Sequence, residues 1–457
     1  MAPIYQKALF VFRRDLRLAD NTALIAAHQM SKAVLPCFVF DPRQVEKHPY
    51  RSLNALQFML ESLDELAADI KKKGGQLHFL QGRPQPVLAE LIKQQKIEAL
   101  FLNRDYTPFS IKRDHSLKVL CRKLGIGFHA YGDSLLHEPE EVQKGNGGPY
   151  TMFTPFFRRA SRMPVRRPLR HEFNNFLITP HAREQKSLFK KILNVSNNNI
   201  FVHGGRSQAL ETLKCISRFK TYRRMRDIPA QAGTTCLSAH NKFGTVSIRE
   251  VYHAIRDALG PNHLLIQQLF WRDFFQHIAF HFPHVFKGSF RKQYDKIRWE
   301  NDRRKFKAWC LGRTGFPIVD AGMRQLNTTG YMHNRVRMIV ASFLVKDLHI
   351  DWRWGEKYFA QKLVDYDPAV NNGNWQWAAS TGCDAQPYFR IFNPWRQQKK
   401  FDPECRYIKR WLPEVEALSA EQIHKSAQEG APRPKTYPAP LVDHDMASLK
   451  ALRMYHS

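Results

Sequence analysis

Ala8-Leu9-Phe10-Val11-Phe12 is a short continuous apolar run, the pattern of a strand buried on both faces. Three similar runs follow at Ala33–Phe40, Leu77–Leu80 and Ala99–Leu102. Between them lie longer stretches with helical apolar spacing, among them Ser52–Lys73 and Pro84–Gln95. Buried strands that alternate with amphipathic helices require a parallel sheet covered on both sides. Residues 1–130 are therefore expected to form a doubly wound α/β domain of Rossmann-like type, with ligands at the carboxyl ends of its strands. No GxGxxG fingerprint is present, so a standard dinucleotide turn is not expected.

The periodicity fails from 131 to 205, a stretch rich in Pro, Arg and Asn that reads as a long interdomain linker lying on the surface. From 206 to 457 the spacing turns helical. Ser207–Arg223, Ser247–Leu259, Asn262–Phe280, Asp320–Asn327, Asn334–Leu348 and Gly355–Val364 each carry a 3.6-residue apolar repeat, several behind Ser, Asn or Asp caps. The expected architecture is α/β followed by all-α.

All nine tryptophans lie between 271 and 411, inside the helical half. The densest segment is Asn371-Asn372-Gly373-Asn374-Trp375-Gln376-Trp377. Indole rings stack on flat ligands and give up electrons, so the chemistry is expected there. Lys+Arg 71 against Asp+Glu 41 gives a net charge of +30, which points to a polyanionic partner. The seven cysteines contain no CxxC pair and suggest reduced thiols, and His240, His253 and His263 fall into no ligand motif. No run of 18 apolar residues predicts a membrane span, and the start, Met-Ala-Pro-Ile-Tyr, lacks a signal-peptide pattern.

Five blocks in register carry a resemblance: Phe12–Asn21, Thr234-Thr235-Cys236-Leu237-Ser238, Trp271-Arg272-Asp273-Phe274-Phe275, Thr314–Ala321, and the segment from Asn371 to Pro394. Together they resemble the photolyase/cryptochrome family over nearly the whole chain. Met332–Met338 and Trp375-Gln376-Trp377 are most similar to its cyclobutane pyrimidine dimer photolyases. The resemblance implies an antenna-type α/β domain, a helical domain that binds FAD, and blue-light repair of UV-joined pyrimidines by electron transfer to a flipped-out lesion. The resemblance also implies extraction of the damaged base from the stack, since photolyases act on a flipped-out nucleotide.

Residue by residue, the resemblance places Tyr222, Thr234, Thr235, Leu237, Ser238, Arg272, Asn334, Arg337, Asp365, Asp367 and Asn371 on FAD, with Asn371 facing the flavin N5. Thr234, Thr235 and Ser238 precede a helix and suit a diphosphate, although they also suit an ordinary helix start. Trp375, Trp352 and Trp299 match the photoreduction chain; on spacing alone they would equally be core. Trp271 and Trp377 match the rings that hold the lesion, with Met338 on the pocket wall, and Arg226, Arg272, Arg335 and Lys400 match phosphate contacts.

Three positions depart from the pattern. Gln268, one helical turn before Trp271, stands where dimer photolyases carry Glu, so it can hydrogen-bond the lesion but supply no carboxyl proton. Gln there is a habit of (6-4) photolyases and animal cryptochromes, which keeps both as alternatives, although the chain ends at Ser457 without a long signalling tail. Cys236 replaces a common Arg, and Thr107 replaces the Glu that a folate antenna prefers. The antenna position would hold a folate, a deazaflavin, another flavin or no second chromophore, and the sequence does not choose among them. The expected partner is UV-damaged DNA, engaged by a cytoplasmic monomer without an obligate protein partner, and the expected location is the nucleoid if the source is bacterial. No metal is expected.

Overall fold

The computed structural model describes residues 3–179, 185–384, 390–426 and 432–456. The chain forms two compact units, one of residues 1–196, 202–218 and 235–283, the other of 197–201, 219–234 and 284–457.

The first unit is built on a five-stranded, wholly parallel sheet in the order β3-β2-β1-β4-β5. Its strands are β1 (Tyr5–Phe12), β2 (Ser31–Phe40), β3 (His78–Gln81), β4 (Ala99–Asn103) and β5 (Gly127–Tyr131). Leu9 lies opposite both Leu35 and Leu100, which puts the first apolar run at the centre of the sheet. β5 has no continuous apolar run because it is an edge strand; four of its five residues are only half buried and Ala130 is exposed. The helices that cover the sheet begin where short polar side chains accept from the first free N–H groups: Asn21 from Leu24, Ser52 from Ala55, Thr107 from Ser110.

The strand order reverses between β1 and β4. There Asn103, at the end of β4, donates to Asp15 (2.5 Å) and Asn21 (2.7 Å) and accepts from the Ala23 amide (3.0 Å). Close by in sequence, the Tyr106 hydroxyl donates to both oxygens of Glu138 (2.6 and 2.7 Å) and Arg104 pairs with the same carboxylate (3.0 Å). Thr107 serves as a helix cap, and the acid in this neighbourhood comes instead from the linker region. A buried charge network fastens the 235–283 segment to the same unit. Arg249 binds Asp20 (2.6 Å) and Asp133 (2.7 Å), and Arg17 binds Asp133 (2.6 Å). Against the cost of burial, the two guanidinium groups hold Asp133 well below the usual carboxylate range.

Among its described residues, the 131–205 stretch contains two helices that its Pro/Arg composition hid, Phe153–Ala160 and Gln185–Ile192, and it lays Phe176 beside Val34 as a short parallel bridge. The long helix expected over Ser207–Arg223 is instead Arg206–Lys214, a 3₁₀ segment Ile216–Thr221 and a turn of helix Tyr222–Met225. Phe219 leaves helical geometry (φ −88°, ψ 17°) where the chain passes from the first unit to the second.

The second unit is helical among the described residues. Helices Arg303–Leu311, Pro317–Thr329, Asn334–Lys346, Trp352–Lys362 and Pro368–Ala378 surround one apolar core. Eight of the nine tryptophans belong to that core or pack on it; only Trp271 lies in the other unit. Trp309 is fully buried, yet its indole N–H is satisfied by the Val340 carbonyl at 3.0 Å. Pro317 starts its helix three residues earlier than the sequence cap at Asp320 suggested, because a proline at the first helical position loses no hydrogen bond. Asp320 accepts instead from Thr314, Gly315 and Tyr437. No helix among the described residues is long and apolar enough to cross a membrane. All seven cysteines are free thiols. His240 bonds Thr245, His253 bonds backbone carbonyls, and His263 caps a helix.

Candidate functional site

In the first unit the helix Leu264–His281 carries Gln268, Trp271, Arg272 and Asp273. Gln268 and Trp271 are half buried and three residues apart, so they share a face. Trp271 lies flat on Phe153, with ring centroids 3.6 Å apart and planes within 7°, while Phe274 meets it edge-on at 5.8 Å. One indole face is thus backed by protein. Arg272 donates to the carbonyls of Ser134 (2.6 Å) and Asn241 (3.2 Å). Asp273, 1 % exposed, accepts from the Leu136 amide (2.8 Å), and burial pushes its carboxyl up to about 7. These two residues tie the beginning of the linker to the helix that bears Trp271.

Thr235, Leu237 and Ser238 lie at the start of the Ser238–Phe243 helix. Cys236 adopts a left-handed conformation (φ 55°), unusual for a residue with a side chain. Leu237, at the cap position, offers no side-chain bond to the helix start. Two hydroxyls beside an uncapped helix start form a donor set suited to an anionic group such as a diphosphate. Thr234 belongs to the second unit, where it follows Gly233; a Cβ on that glycine would sit 2.5 Å from the Met225 oxygen.

The second unit gathers most of the remaining positions. Arg337 forks onto Asp365 (Nη1–Oδ1 3.2 Å, Nη2–Oδ2 2.9 Å), and its Nε donates to the Met332 carbonyl (2.8 Å). Asp365 is 9 % exposed, so this is a nearly buried, directional pair. Asp367 caps the Pro368–Ala378 helix by accepting from Ala369 (3.0 Å) and Val370 (3.2 Å). That helix carries Asn371, whose amide donates to the Glu356 carbonyl (3.2 Å) and carboxyl (3.4 Å). Burial pushes Glu356 up to about 7. Glu356 was not among the sequence candidates; its signal was a lone acid on the Trp352–Glu356–Phe359 stripe of an apolar helix face.

Trp375 and Trp352 are each 2 % exposed in the same core, and Trp299 packs against it partly buried. Gly355 is required beside Trp375, since a Cβ there would lie 2.2 Å from the ring. Met338 and Trp377 are brought to one cavity, with Ser342 and Lys346 beneath Met338 at helical spacing. Lys346, 2 % exposed and another residue the sequence reading passed over, donates to Ser380 Oγ (2.9 Å) and to the Arg390 carbonyl; burial lowers its ammonium to about 7. Pro387, Tyr388 and Phe389 of the motif lie outside the described residues.

Arg226, Arg335 and Lys400 also converge. Arg335 binds Asp227 (2.9 Å) and lies over Phe401 at 4.3 Å, Lys400 approaches the same ring at 5.4 Å, and Arg226 covers the buried Tyr222 at 5.4 Å. His333 caps the Asn334–Lys346 helix, and burial lowers its imidazole to about 4, so it is neutral among these arginines. Asn334 is exposed at the first turn.

The sequence matches two family models, that of the DNA photolyase family over residues 8–172 and that of the FAD binding domain of DNA photolyase over 265–457. It is 37 % identical to a deoxyribodipyrimidine photo-lyase of Agrobacterium fabrum, across 97 % of this chain and 96 % of that protein. Among solved structures, the archaeal photolyase from Sulfolobus tokodaii with two FAD molecules superposes with a TM-score of 0.91 at 42 % identity, covering 99 % of this chain and all of that one. A class III photolyase from Agrobacterium tumefaciens gives 0.91 at 36 %, covering 100 % and 98 %. With both halves matched and the likeness running nearly end to end, the chain belongs to the DNA photolyase family.

Proposed function

We propose that this protein is a deoxyribodipyrimidine photo-lyase, a blue-light-driven enzyme that splits cyclobutane pyrimidine dimers in DNA. The observation that carries this reading is the end-to-end likeness to deoxyribodipyrimidine photo-lyases across both the α/β and the helical parts. FAD, when bound in its reduced state, would supply the light-driven electron transfer for dimer opening, with no net redox change.

The protein's own contribution is binding, orientation and polarity. The Arg337–Asp365 fork is a fixed dipole suited to a flavin ring, and Asn371, steadied by Glu356, would hold the N5 side of a bound FAD. Asp367 and Asn334 would contribute to holding the cofactor's ribose side. Thr235, Leu237, Ser238 and Arg272 of the first unit, and Tyr222 and Thr234 of the second, would each contribute a contact to the rest of the cofactor. Trp271 would offer a stacking ring and Gln268 a hydrogen bond to the lesion from the first unit, Trp377 a second ring and Met338 an apolar wall from the other. Trp375, Trp352 and Trp299 relay electrons when the oxidised cofactor is photoreduced. Arg226, Arg335 and Lys400 hold phosphates.

The functional division we assign is an antenna-type domain over 1–130, a linker over 131–205 and a catalytic domain over 206–457. A second chromophore in the α/β part would act as antenna. We assign the enzyme to the cytoplasm as a monomer without an obligate protein partner. Dithionite-reduced, FAD-loaded protein should repair a thymine-dimer oligonucleotide in blue light and not in the dark. Repair of (6-4) lesions instead, or of neither lesion, would overturn the assignment.

A further inference from the structure

The Asn334–Lys346 helix sets Met338, Ser342 and Lys346 four residues apart, on one face. Ser342 and Lys346 are both buried in a unit whose core is apolar. Taking an ammonium out of water is expensive, and a well-packed apolar side chain of similar volume commonly serves stability as well or better. Stability alone does not account for a lysine at this position. Its contacts do. The ammonium donates to Ser380 Oγ at 2.9 Å and to the Arg390 carbonyl, 34 and 44 residues away in sequence. One turn earlier, the Ser342 hydroxyl accepts from the Phe392 amide at 3.3 Å. The acid next to Lys346, Asp347, is held by His444 at 2.5 Å.

Both pegs act on the chain that flanks Trp377. Ser380 stands in the turn that ends the Pro368–Ala378 helix, where its amide donates to the Trp377 carbonyl (3.1 Å) and the Thr381 amide to the Gln376 carbonyl (3.0 Å). Its backbone is left-handed (φ 60°), a conformation that strains a residue with a side chain and persists where the surroundings over-determine it. Lys346 supplies part of that constraint. Met338, Ser342, Lys346, Trp377, Ser380 and Phe392 all line one cavity of the second unit, so the pegged segments form its wall.

We propose that Lys346 and Ser342 are positioning residues for the Trp377 side of the lesion slot: they hold the turn after Trp377 and the 390–392 segment in place, so that this wall is formed before a lesion enters. This rests on the reading of Trp377 as a lesion-stacking ring. A wall that is already ordered loses less freedom on binding. The pegs therefore favour a ligand that enters the slot and are indifferent to contacts made elsewhere on the DNA.

The test compares FAD-loaded wild type with K346M, S342A and K346M/S380A. Dark binding is measured to a duplex carrying one thymine dimer and to the same duplex undamaged, and hydrogen exchange is followed at the Phe392 amide. K346M should weaken binding of the dimer duplex about tenfold, the scale of a lost hydrogen bond to a charged group, and leave binding of the undamaged duplex unchanged. Its melting temperature should not fall, since an apolar side chain replaces a buried charge. K346M/S380A should bind the dimer duplex no worse than K346M, because the two residues share one contact. Exchange of the Phe392 amide should quicken in K346M and S342A. If K346M does not fold, S342A carries the same comparison at about threefold. Equal weakening toward both duplexes would mean a general loss of structure and overturn the proposal, as would Phe392 exchange at the wild-type rate in both variants. A wild type without preference for the dimer duplex, with exchange still quickened in the variants, would support the pegs and overturn the reading of Trp377 instead.

Discussion

The side-chain amide of Asn371 donates to Glu356 twice over, to its main-chain oxygen at 3.2 Å and to its carboxyl at 3.4 Å. The residue expected to face the flavin N5 is thus oriented by a buried acid from a neighbouring helix.

That acid should titrate near neutrality. Burial raises the Glu356 carboxyl to about 7, so its protonated form is favoured in the fold. The associated stability is complete below its ordinary value near 4.5 and is lost as pH rises through about 7. Glu356→Gln should remove that loss, on the order of 3 kcal/mol between pH 5 and 8 at about 1.4 kcal/mol per pKa unit. Denaturant midpoints of both proteins at the two pH values check it; parallel pH dependence would show that this carboxyl does not titrate there.

Gln268→Glu should restore a charged or protonatable partner for the lesion. A hydrogen bond worth about 1 kcal/mol corresponds to roughly a fivefold faster splitting per absorbed photon. The measurement is repair yield against photon dose with prereduced enzyme. A lower yield in the variant would mean that this pocket is adapted to the amide.

Trp352→Phe and Trp299→Phe should slow photoreduction of the oxidised cofactor while leaving repair by prereduced enzyme nearly intact. Trp352 is a clean site for this test, because its buried indole N–H has no partner among the described residues, so Phe forfeits no hydrogen bond to them. Its loss of volume should cost about 1–2 kcal/mol, less than the 3–5 kcal/mol typical of Trp→Ala. Equal loss of photoreduction and repair would refute the relay.

Arg337→Lys should release FAD. An ammonium cannot reproduce the two-pronged fork on Asp365, a carboxylate only 9 % exposed. Breaking such a pair costs about 3–5 kcal/mol. Flavin absorbance that survives gel filtration reports the effect, and full retention would contradict the role.

Gly355→Ala should destabilise the helical unit by about 1–3 kcal/mol, because the new methyl would sit 2.2 Å from the buried Trp375 ring. Thermal unfolding measures this, and an unchanged midpoint would mean that the ring can shift freely.

The sheet was legible in the sequence wherever burial was two-sided. The runs at Ala8–Phe12 and Ala99–Leu102 read as strands because both faces meet apolar neighbours, whereas β5, at the sheet edge, left no such trace. The Phe153–Ala160 helix escaped because a short amphipathic repeat among prolines and arginines looks like linker.

For the site, local order alone determined the pattern of motifs: Trp375-Gln376-Trp377 on one helix, Gln268 one turn from Trp271, and a polar turn before Ser238. Those relationships lie within a few residues, where helical geometry is fixed. Tertiary structure decided the pairings between distant segments: Arg337 with Asp365, Asn371 with Glu356, Phe153 with Trp271, and Lys346 with Ser380. Charge and shape meet there across 15 to 118 residues of chain. Only packing sets which partner a buried polar or aromatic group finds, because an unsatisfied one would cost more than any local preference can supply.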